Sequence, residues 1–271
     1  MSTLIRLDMP RTGDGRRWTV GVLVSSKCTQ MAAALLAAGG RGLDMQAHVA
    51  GAVTDDIPKE TAALFGPLAG SGANSAGLVT DFRARLAEIQ AALVSDLLAG
   101  LGVAPSRVLA VGVHDPGLWK FERSGPSGYL GLCDAARLAE ATRLNVIDAF
   151  PARDRAQGGQ GGPIAALAQW VLLKHPQNSR VLLDLGRTVR MSYLPATMTD
   201  NASSRILSFE VGPDTCLLDS LAQRLTGGQH RFDPGGRLAV QGRRIPELIE
   251  HWLSDPYFDR PLPRWHPRGV R

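Results

Sequence analysis

Residues 18–26, WTVGVLVSS, decide the fold, because this short run of apolar and β-branched residues is typical of a buried strand. A plausible partner strand is DMQAHVAGAVT, residues 44–54, which follows a turn at residues 39–42. Residues 78–102, LVTDFRARLAEIQAALVSDLLAGLG, carry apolar side chains at steps of three and four, which predicts an amphipathic helix. Residues 107–115, RVLAVGVHD, read as the next buried strand. Strands that alternate with helices in this way predict an α/β protein with parallel strand pairs.

The remaining sequence continues the alternation and predicts two lobes. We expect an N-terminal lobe over residues 1–165, a second and partial lobe over residues 166–259, and a basic, proline-rich tail over residues 260–271. Three closely spaced apolar strands in the second lobe predict a small meander. The elements predicted from residue 116 onward are a loop at 116–128, helices at 132–143, 164–175, 217–228 and 245–255, and strands at 145–150, 181–186, 190–195 and 205–213.

The composition is that of a globular protein, and the cysteine content leads us to expect a reducing cytoplasm. Of 271 residues, 44% are hydrophobic and 20% are charged, which excludes general disorder. Cys28, Cys133 and Cys216 are too few and too scattered for a disulfide framework or a zinc site. The opening residues mix Arg and Asp without an apolar leader, and no apolar run approaches bilayer length, so we expect neither secretion nor a membrane partner.

Positive charge is concentrated only in the tail, RPLPRWHPRGVR, where arginines alternate with prolines around Trp265. The net charge of +5 is otherwise spread over the whole chain, which disfavours nucleic acid as a partner. The tail is either a frayed terminus or a functional arm. If the tail bound nucleic acid, the binding would depend strongly on salt and would be lost with the tail.

Three short strings carry residues that could perform chemistry. GGQGGP, residues 158–163, is either a flexible turn or a loop whose backbone amides contact a sugar or a phosphate. Glu210 ends an apolar strand before a Gly-Pro turn, where it is either a solvated carboxylate or a general base. His114 and Asp115 end another strand, where a histidine is either a hydrogen-bonded turn residue or a catalyst.

Taken in order, these strings resemble the landmarks of the anhydro-N-acetylmuramic acid kinases, which belong to the actin-like superfamily. The resemblance covers most of residues 18–264, and its most specific pieces are GGQGGP and LSDPYF, residues 253–258. It implies an α/β, RNase H-like (actin-like ATPase) fold of two lobes, with sugar and ATP meeting in a cleft. The shortness of the chain leads us to expect an incomplete second lobe.

The activity that the resemblance implies is ATP-dependent opening of a 1,6-anhydro amino sugar by water, with phosphorylation of the freed 6-oxygen. Such a reaction needs a base for water and a cradle for magnesium and phosphate. The implied cofactors are ATP and Mg²⁺, and the implied pathway is recycling of cell-wall amino sugars. By resemblance, the base is Glu210, the phosphate side comprises Ser25, Ser26, Lys27, Thr29, Gln30, Gly186 and Gly212, and the sugar side comprises His114, Arg153, Asp154, Gly158, Gly159, Gln160 and Gly161.

Several positions depart from the family's pattern on the phosphate side. Ser26 stands where the family has glycine, and Gln30 stands where it has the aspartate that helps hold the metal. Arg187 and Asp214 occupy positions where the family has glycine, and Glu210 replaces an aspartate. We therefore expect no metal ligand in this chain and no stable ATP site.

Two hypotheses follow from the resemblance. The chain is a sugar-binding or scaffolding pseudokinase that has lost phosphoryl transfer, or it is an active, diverged anhydro-amino-sugar kinase. An incomplete lobe would expose apolar surface, so we also expect a homo-oligomer or a partner chain that covers it. The first hypothesis is favoured, since losses at several elements of one site are hard to combine with catalysis.

Overall fold

The chain divides into two compact units, Met1–Ile164 and Ala165–Arg271. A computed structural model describes residues 3–7, 16–69, 76–122, 125–186 and 188–259. None of the helices in these ranges is both long enough and apolar enough to span a lipid bilayer.

The first unit is built from eight strands and four α-helices within its described residues. Their order along the chain alternates between short strand groups and helices, as the sequence predicts. The elements are β1 (Thr3–Arg6), β2 (Arg17–Val24), β3 (Gln30–Gly39), β4 (Gln46–Asp56), α1 (Lys59–Ala69), α2 (Ala76–Leu101), β5 (Val108–His114), β6 (Leu118–Glu122), β7 (Gly125–Leu130), α3 (Ala135–Thr142), β8 (Val146–Ile147) and α4 (Phe150–Ala156).

Six of these strands form one mixed sheet in the order β1-β4-β3-β2-β5-β8. Strands β2, β3 and β4 form an antiparallel meander, and β5 and β8 extend it in parallel beyond β2. A meander continued by parallel strands beside its first strand is the RNase H-like arrangement. The predicted α/β class and its parallel pairs are therefore confirmed.

One face of this sheet forms the main hydrophobic core. Alternate residues of β2 (Trp18, Val20, Val22 and Val24) are buried in one cluster with apolar residues of the long helix α2. Burying each of these side chains contributes roughly 1.5–3 kcal/mol. The opposite face of β2 carries Thr19, Gly21 and Leu23, because successive strand residues point to opposite faces. That second face matters for the site described below.

Two parts of the first unit differ from the sequence prediction. The partner of β2 is β3, whereas the stretch predicted as its partner forms the third strand of the meander, β4. The sequence of β3, QMAAALLAAG, is rich in alanine and leucine, which favour helices, and it shows no polar alternation. The predicted loop at residues 116–128 is instead the hairpin β6–β7, in which glycines and prolines mask the strands.

The second unit contains a smaller antiparallel sheet, which confirms the predicted meander. Its strands β9 (Arg180–Leu185), β10 (Thr188–Leu194) and β11 (Leu207–Pro213) lie in the order β11-β10-β9. Trp170 packs against Leu194 and Ala202 beside them. The indole Nε1 of Trp170 donates a hydrogen bond of 2.7 Å to the carbonyl of Pro195. This bond fixes α5 (Ala165–Leu173), the helix that carries Trp170, to the end of β10. The elements are α5 (Ala165–Leu173), β9 (Arg180–Leu185), β10 (Thr188–Leu194), β11 (Leu207–Pro213), α6 (Thr215–Leu225) and α7 (Pro246–Leu253).

Candidate functional site

The turn between β2 and β3 contains the residues predicted to face phosphate, and Ser25 organises it. The Ser25 Oγ accepts hydrogen bonds of 3.1 Å from the backbone amides of Thr29 and Gln30, and its carbonyl accepts one of 2.8 Å from Cys28. Cys28 adopts a left-handed conformation, with φ of 51°. Two amides that could otherwise bind an anion are thus satisfied inside the turn, while the side chains of Ser26 and Lys27 are exposed.

Gln30 is tied to the acidic end of β4. The two strands pair Gln30 with Asp56, and the Gln30 Nε2 donates a hydrogen bond of 2.9 Å to the Asp56 Oδ1. A cavity of about 440 Å³ opens beside this pair and is lined by Ser25, Asp55 and Thr54 among others. An amide N–H group cannot bind a cation. The Gln30 side chain therefore occupies an Asp56 carboxylate oxygen through this hydrogen bond and adds no cation ligand of its own.

The turn offers Mg²⁺ fewer carboxylate oxygens than the resemblance implies. The described ranges contain no group of three or more His, Cys, Asp or Glu residues arranged to hold a metal ion. The position at which the resemblance implies a metal-organising carboxylate carries the Gln30 amide, which donates to Asp56. In kinase sites Mg²⁺ usually keeps several waters and is bound by one or two carboxylates together with substrate phosphates, so the hydrogen bond from Gln30 to Asp56 removes one of the carboxylate oxygens available to it.

His114 lies on the same face of the sheet as this cavity. It pairs with Leu23 on β2, Leu23 pairs with Ala32, and Ala32 pairs with Thr54, and the last three residues all line the cavity. Since directly opposed residues in a sheet stand side by side, His114 continues the row of residues that lines this cavity. The structure therefore brings one predicted sugar-side residue next to the predicted phosphate side.

Asp115 has a structural role within this region. It is 2% exposed, and its carboxylate accepts hydrogen bonds from the backbone amides of Gly117 (2.8 Å), Leu132 (3.0 Å) and Cys133 (3.0 Å). Burial raises the pKa of Asp115 and outweighs these hydrogen bonds, which act in the opposite direction. The carboxylate holds the end of β5 to the loop that leads into α3, and it does not point toward solvent.

The glycine loop after α4 is wound around Asp154. The Asp154 Oδ2 accepts a hydrogen bond of 2.7 Å from the amide of Gly161, and its carbonyl accepts one of 3.0 Å from Gly159. A Cβ at Gly159 would overlap the Asp154 carboxylate. The loop is thus an ordered turn anchored by Asp154, which forms part of it. A direct contact of Asp154 with sugar stays a prediction. Sugar contacts of the exposed residues Arg153, Gly158 and Gln160 also stay predictions.

An aromatic pair that the sequence did not reveal supports the glycine loop. The rings of Trp119 and Tyr129 lie 4.7 Å apart, and the Trp119 Nε1 donates a hydrogen bond of 2.8 Å to Pro116. A Cβ at Gly161 would approach the Trp119 ring to 2.8 Å, so this glycine, with φ of 83°, lies directly against the indole. No sequence signal links Trp119 to Gly161, because the two residues lie forty-two positions apart.

The same face of the sheet also carries the start of α4. Phe150 covers Gly112, since a Cβ at that glycine would be 3.5 Å from the Phe150 Cζ. Gly112 lies two residues before His114 on β5 and therefore shares its face. His114 and the start of α4 therefore lie on one face of the first unit's sheet. The phosphate-side turn lies at the end of β2 and β3.

Cys28 and Cys133 are fully buried thiols near this region. Burial raises the pKa of Cys28 and of Cys133 to about 12, with smaller contributions from Asp115 at Cys28 and from Asp148 and then Asp115 at Cys133. A thiol with such a pKa is protonated at neutral pH and is therefore a poor nucleophile. Neither cysteine has the character of a catalytic residue.

Glu210, the predicted base, lies in the second unit on β11. It is 2% exposed, and its Oε1 accepts a hydrogen bond of 3.3 Å from the Thr188 Oγ1. In the sheet Glu210 pairs with Arg190, whose guanidinium lies 3.6 Å from the Asp184 carboxylate. Glu210 is thus not the solvated strand-end carboxylate of the alternative interpretation, but a buried acid in a charged row across three strands.

Gly186 and Gly212, the other predicted phosphate-side residues of this unit, are engaged by their own neighbours. The Gly186 carbonyl accepts hydrogen bonds from the amide (3.1 Å) and the hydroxyl (2.9 Å) of Thr215. Gly212 is buried, and a Cβ there would lie 3.4 Å from the Phe258 ring. Arg187 and the tail at residues 260–271 lie outside the described residues.

Comparison with known proteins identifies the family. The chain matches the family model for anhydro-N-acetylmuramic acid kinase over residues 20–269. It is 28% identical over 208 residues to the anhydro-N-acetylmuramic acid kinase of Shewanella sediminis, which covers 77% of this chain and 54% of that protein. It is 31% identical over 179 residues to the enzyme of that name from Neisseria meningitidis serogroup C, which covers 66% of this chain and 46% of that protein.

The chain thus spans about half the length of these curated relatives. Among solved structures, the Ppx/GppA family member from Aquifex aeolicus aligns over 76% of this chain and 54% of that chain, at 10% identity and a TM-score of 0.38, a score too low to bear on the fold. The match to the family model extends over nearly the whole sequence and includes the phosphate-side turn, His114, the glycine loop and Glu210. The chain belongs to the anhydro-N-acetylmuramic acid kinase family.

Proposed function

We propose that this chain binds an anhydro-amino sugar of the N-acetylmuramic acid type without phosphorylating it. One contrast supports the proposal: Asp154 anchors the glycine loop, whereas the phosphate-side turn is closed by Ser25 and carries Gln30 where the resemblance implies an aspartate. In this proposal the chain retains the sugar binding of the family and lacks its phosphoryl transfer.

On the phosphate side, the turn is closed by its own hydrogen bonds. An incoming phosphate would have to displace the Ser25 hydroxyl from the amides of Thr29 and Gln30. Each such hydrogen bond contributes about 0.5–1.5 kcal/mol, and displacement would also leave the hydroxyl to find a new partner. The exposed Lys27 attracts anions but gives no defined cradle, and Asp55 and Asp56 repel them.

On the sugar side, the loop presents polar groups from a fixed backbone. Arg153 and Gln160 are exposed beside a loop whose amide at Gly161 is held by Asp154. A muramic-acid sugar carries a carboxylate, which a guanidinium binds with two parallel hydrogen bonds, and hydroxyl and acetamido groups, which suit a glutamine amide. The row through His114 offers a further donor or acceptor on the same face of the sheet.

The alternative is an active, diverged kinase, and one observation favours it. Glu210 keeps a carboxylate at the position of the family's base, and it is buried beside Thr188 and Arg190, where charged groups act strongly. Against this role, Glu210 is longer by one methylene than aspartate, and a displacement of ~1 Å in a reacting group lowers rates about a hundredfold.

An assay of sugar-dependent ADP release distinguishes the two functions. The Shewanella sediminis relative serves as positive control, and each protein is supplied with Mg-ATP and 1,6-anhydro-N-acetylmuramic acid. We expect no sugar-dependent ADP from this chain. Release of ADP that disappears in Glu210→Ala would establish the alternative.

Binding of the sugar is measured separately by calorimetry. We expect Arg153→Ala to weaken it about tenfold, as loss of a charge-assisted hydrogen bond does. The matched control is Arg143→Ala, which removes an exposed arginine paired with Glu140 on α3 and should leave binding unchanged. Equal affinities of the two variants would contradict the placement of the sugar at the glycine loop.

We further propose a cytoplasmic location. The three cysteines are free thiols in the structure, and two of them are fully buried, as expected of a protein from a reducing compartment. Labelling the thiols in freshly lysed cells would test this proposal, because an oxidising compartment would leave Cys216 blocked.

A further inference from the structure

The carboxyl ends of three parallel strands of the first unit, β2, β5 and β8, meet at one edge of the sheet. Strand β5 ends at His114, and Asp148 directly follows β8. In the register of the sheet Gly112 pairs with Ile147, so Asp148 lies level with the residue before His114. Open α/β sheets bind their ligands outside the carboxyl ends of the strands, so Asp148 occupies a position suited to binding.

The hydroxyl of Tyr129 lies close to this position. A Cβ added at Gly131 would be 3.5 Å from the Tyr129 hydroxyl oxygen and 3.7 Å from the Ala149 Cβ. Ala149 directly follows Asp148, so the hydroxyl and the backbone after Asp148 approach the same glycine. Burial, and then the charges of Asp115 and Asp148, raise the pKa of Tyr129. The phenol therefore keeps its proton at neutral pH and can donate a hydrogen bond.

Neither of these two polar groups is used by the protein itself. The side chains of Tyr129 and Asp148 are half-buried, and among the described residues no group forms a hydrogen bond with either. Two other carboxylates of the region differ, because Asp115 accepts backbone hydrogen bonds at the end of β5 and Asp154 anchors the glycine loop. Partial burial removes water from a polar group, so a partner from outside the chain would offset that cost.

The ring of Tyr129 connects this pair to the glycine loop. Its centroid lies 4.7 Å from that of Trp119, and the Trp119 ring contacts Gly161. A Cβ at Gly117, where φ is 61°, would overlap the Tyr129 ring, so this glycine lets the ring pack directly against the backbone. Packing thus holds the ring in place, and the hydroxyl is positioned without a hydrogen bond of its own.

We propose that Tyr129 and Asp148 form a polar subsite that binds the hydroxyl and acetamido N–H groups of an anhydro-amino sugar, an inference that rests on the sugar binding proposed above. A carboxylate accepts hydrogen bonds and a phenol donates or accepts one, so the pair suits neutral O–H and N–H groups. The negative charge of Asp148 repels the lactyl carboxylate of a muramic acid. That carboxylate would therefore lie toward Arg153, and the hydroxyl and acetamido groups would lie toward Tyr129 and Asp148.

Calorimetry with two sugars tests this orientation. The probes are 1,6-anhydro-N-acetylmuramic acid and 1,6-anhydro-N-acetylglucosamine, which carries a hydroxyl in place of the lactyl ether. Asp148→Asn should weaken binding of the glucosamine sugar about tenfold, as loss of a charge-assisted hydrogen bond does. It should weaken binding of the muramic acid sugar only about threefold, because the substitution also removes the repulsion of the lactyl carboxylate. A general disturbance of the site would weaken both sugars equally.

The second variant, Tyr129→Phe, removes the hydroxyl and keeps the packing of the ring. It should weaken binding of both sugars about twofold to tenfold, as loss of one neutral hydrogen bond does. The matched controls are Tyr193→Phe, which removes a hydroxyl bonded to Ser179 in the second unit, and Asp96→Asn, which neutralises an exposed aspartate of α2. Both controls should bind the sugars as the unmodified chain does.

The outcomes separate this subsite from the proposed function. If the muramic acid sugar binds and Arg153→Ala weakens it, while Tyr129→Phe and Asp148→Asn behave as their controls, the subsite is overturned and the proposed function stands. Equal weakening of the two sugars by Asp148→Asn would also overturn the subsite. If the unmodified chain binds neither sugar, the subsite and the proposed function are both overturned.

Discussion

Replacing Gly161 by alanine tests how tightly the glycine loop is fitted to the rest of the first unit. The backbone at Gly161 has φ of 83°, which strains any residue with a Cβ by about 1–2 kcal/mol. The new Cβ would also meet the Trp119 ring at 2.8 Å and the Arg155 side chain at 3.1 Å. Overpacking of this kind costs about 1–3 kcal/mol, which brings the expected total to about 2–5 kcal/mol.

The control for Gly161→Ala is Gly158→Ala in the same loop. Gly158 has a similar φ of 88°, but a Cβ at this position would have no neighbour within 4 Å, so only the strain of about 1–2 kcal/mol applies. The difference between the two variants isolates the contact with Trp119. For a unit of this size, each kcal/mol lowers Tm by about 2–4 °C, so Gly161→Ala should melt about 2–12 °C below Gly158→Ala.

The assay is thermal unfolding followed by tryptophan fluorescence, with amide hydrogen exchange as a local readout. The amide of residue 161 should exchange faster in Gly161→Ala, because the collision pulls it away from the Asp154 carboxylate to which it donates. Equal melting temperatures for the two variants would refute the reasoning. So would an unchanged exchange rate at residue 161.

Three further predictions concern the metal, the thiols and pH. Gln30→Asp sets a carboxylate opposite Asp56 and should lower the free energy of unfolding by about 0.2–1 kcal/mol. Millimolar MgCl₂ should reverse this loss in a melting experiment. No response to Mg²⁺ would show that position 30 is not the lost metal position. In native protein Cys216 should react with a thiol reagent well before the two buried cysteines, and equal rates would contradict their burial. The pKa of Asp115 is raised by burial, so the folded state binds a proton more tightly than the unfolded chain. The stabilising contribution of this proton is complete below about pH 3.8 and is lost as pH rises through the folded pKa. Over this pH range, the free energy of unfolding of the unmodified chain, measured by urea titration, should fall relative to that of Asp115→Asn.

The sequence predicts most of the fold correctly, because β2 and β5 carry the short, continuous apolar runs that are typical of buried strands. It fails at β3, whose alanines and leucines favour a helix when taken alone and form a strand only because β2 and β4 lie on either side. It fails also at the hairpin β6–β7, where glycine and proline suggest a loop. In both places, tertiary pairing overrides local preference.

The sequence does not reveal the contacts that the predicted site residues make. Asp115 and Asp154 were found by position, yet both carboxylates bind backbone amides of the protein itself. The Ser25 turn and the Gln30–Asp56 hydrogen bond depend on strand register, which a sequence without its folded partner strand does not reveal. Trp119 was overlooked because its importance lies in a contact with Gly161, forty-two residues later.

The central claim is that the sugar half of the site persists while the phosphate half is lost. Isothermal titration of the purified chain with 1,6-anhydro-N-acetylmuramic acid and, separately, with Mg-ATP tests it most directly. The account predicts saturable binding of the sugar and no binding of Mg-ATP. Binding of Mg-ATP, or failure to bind the sugar, would contradict it.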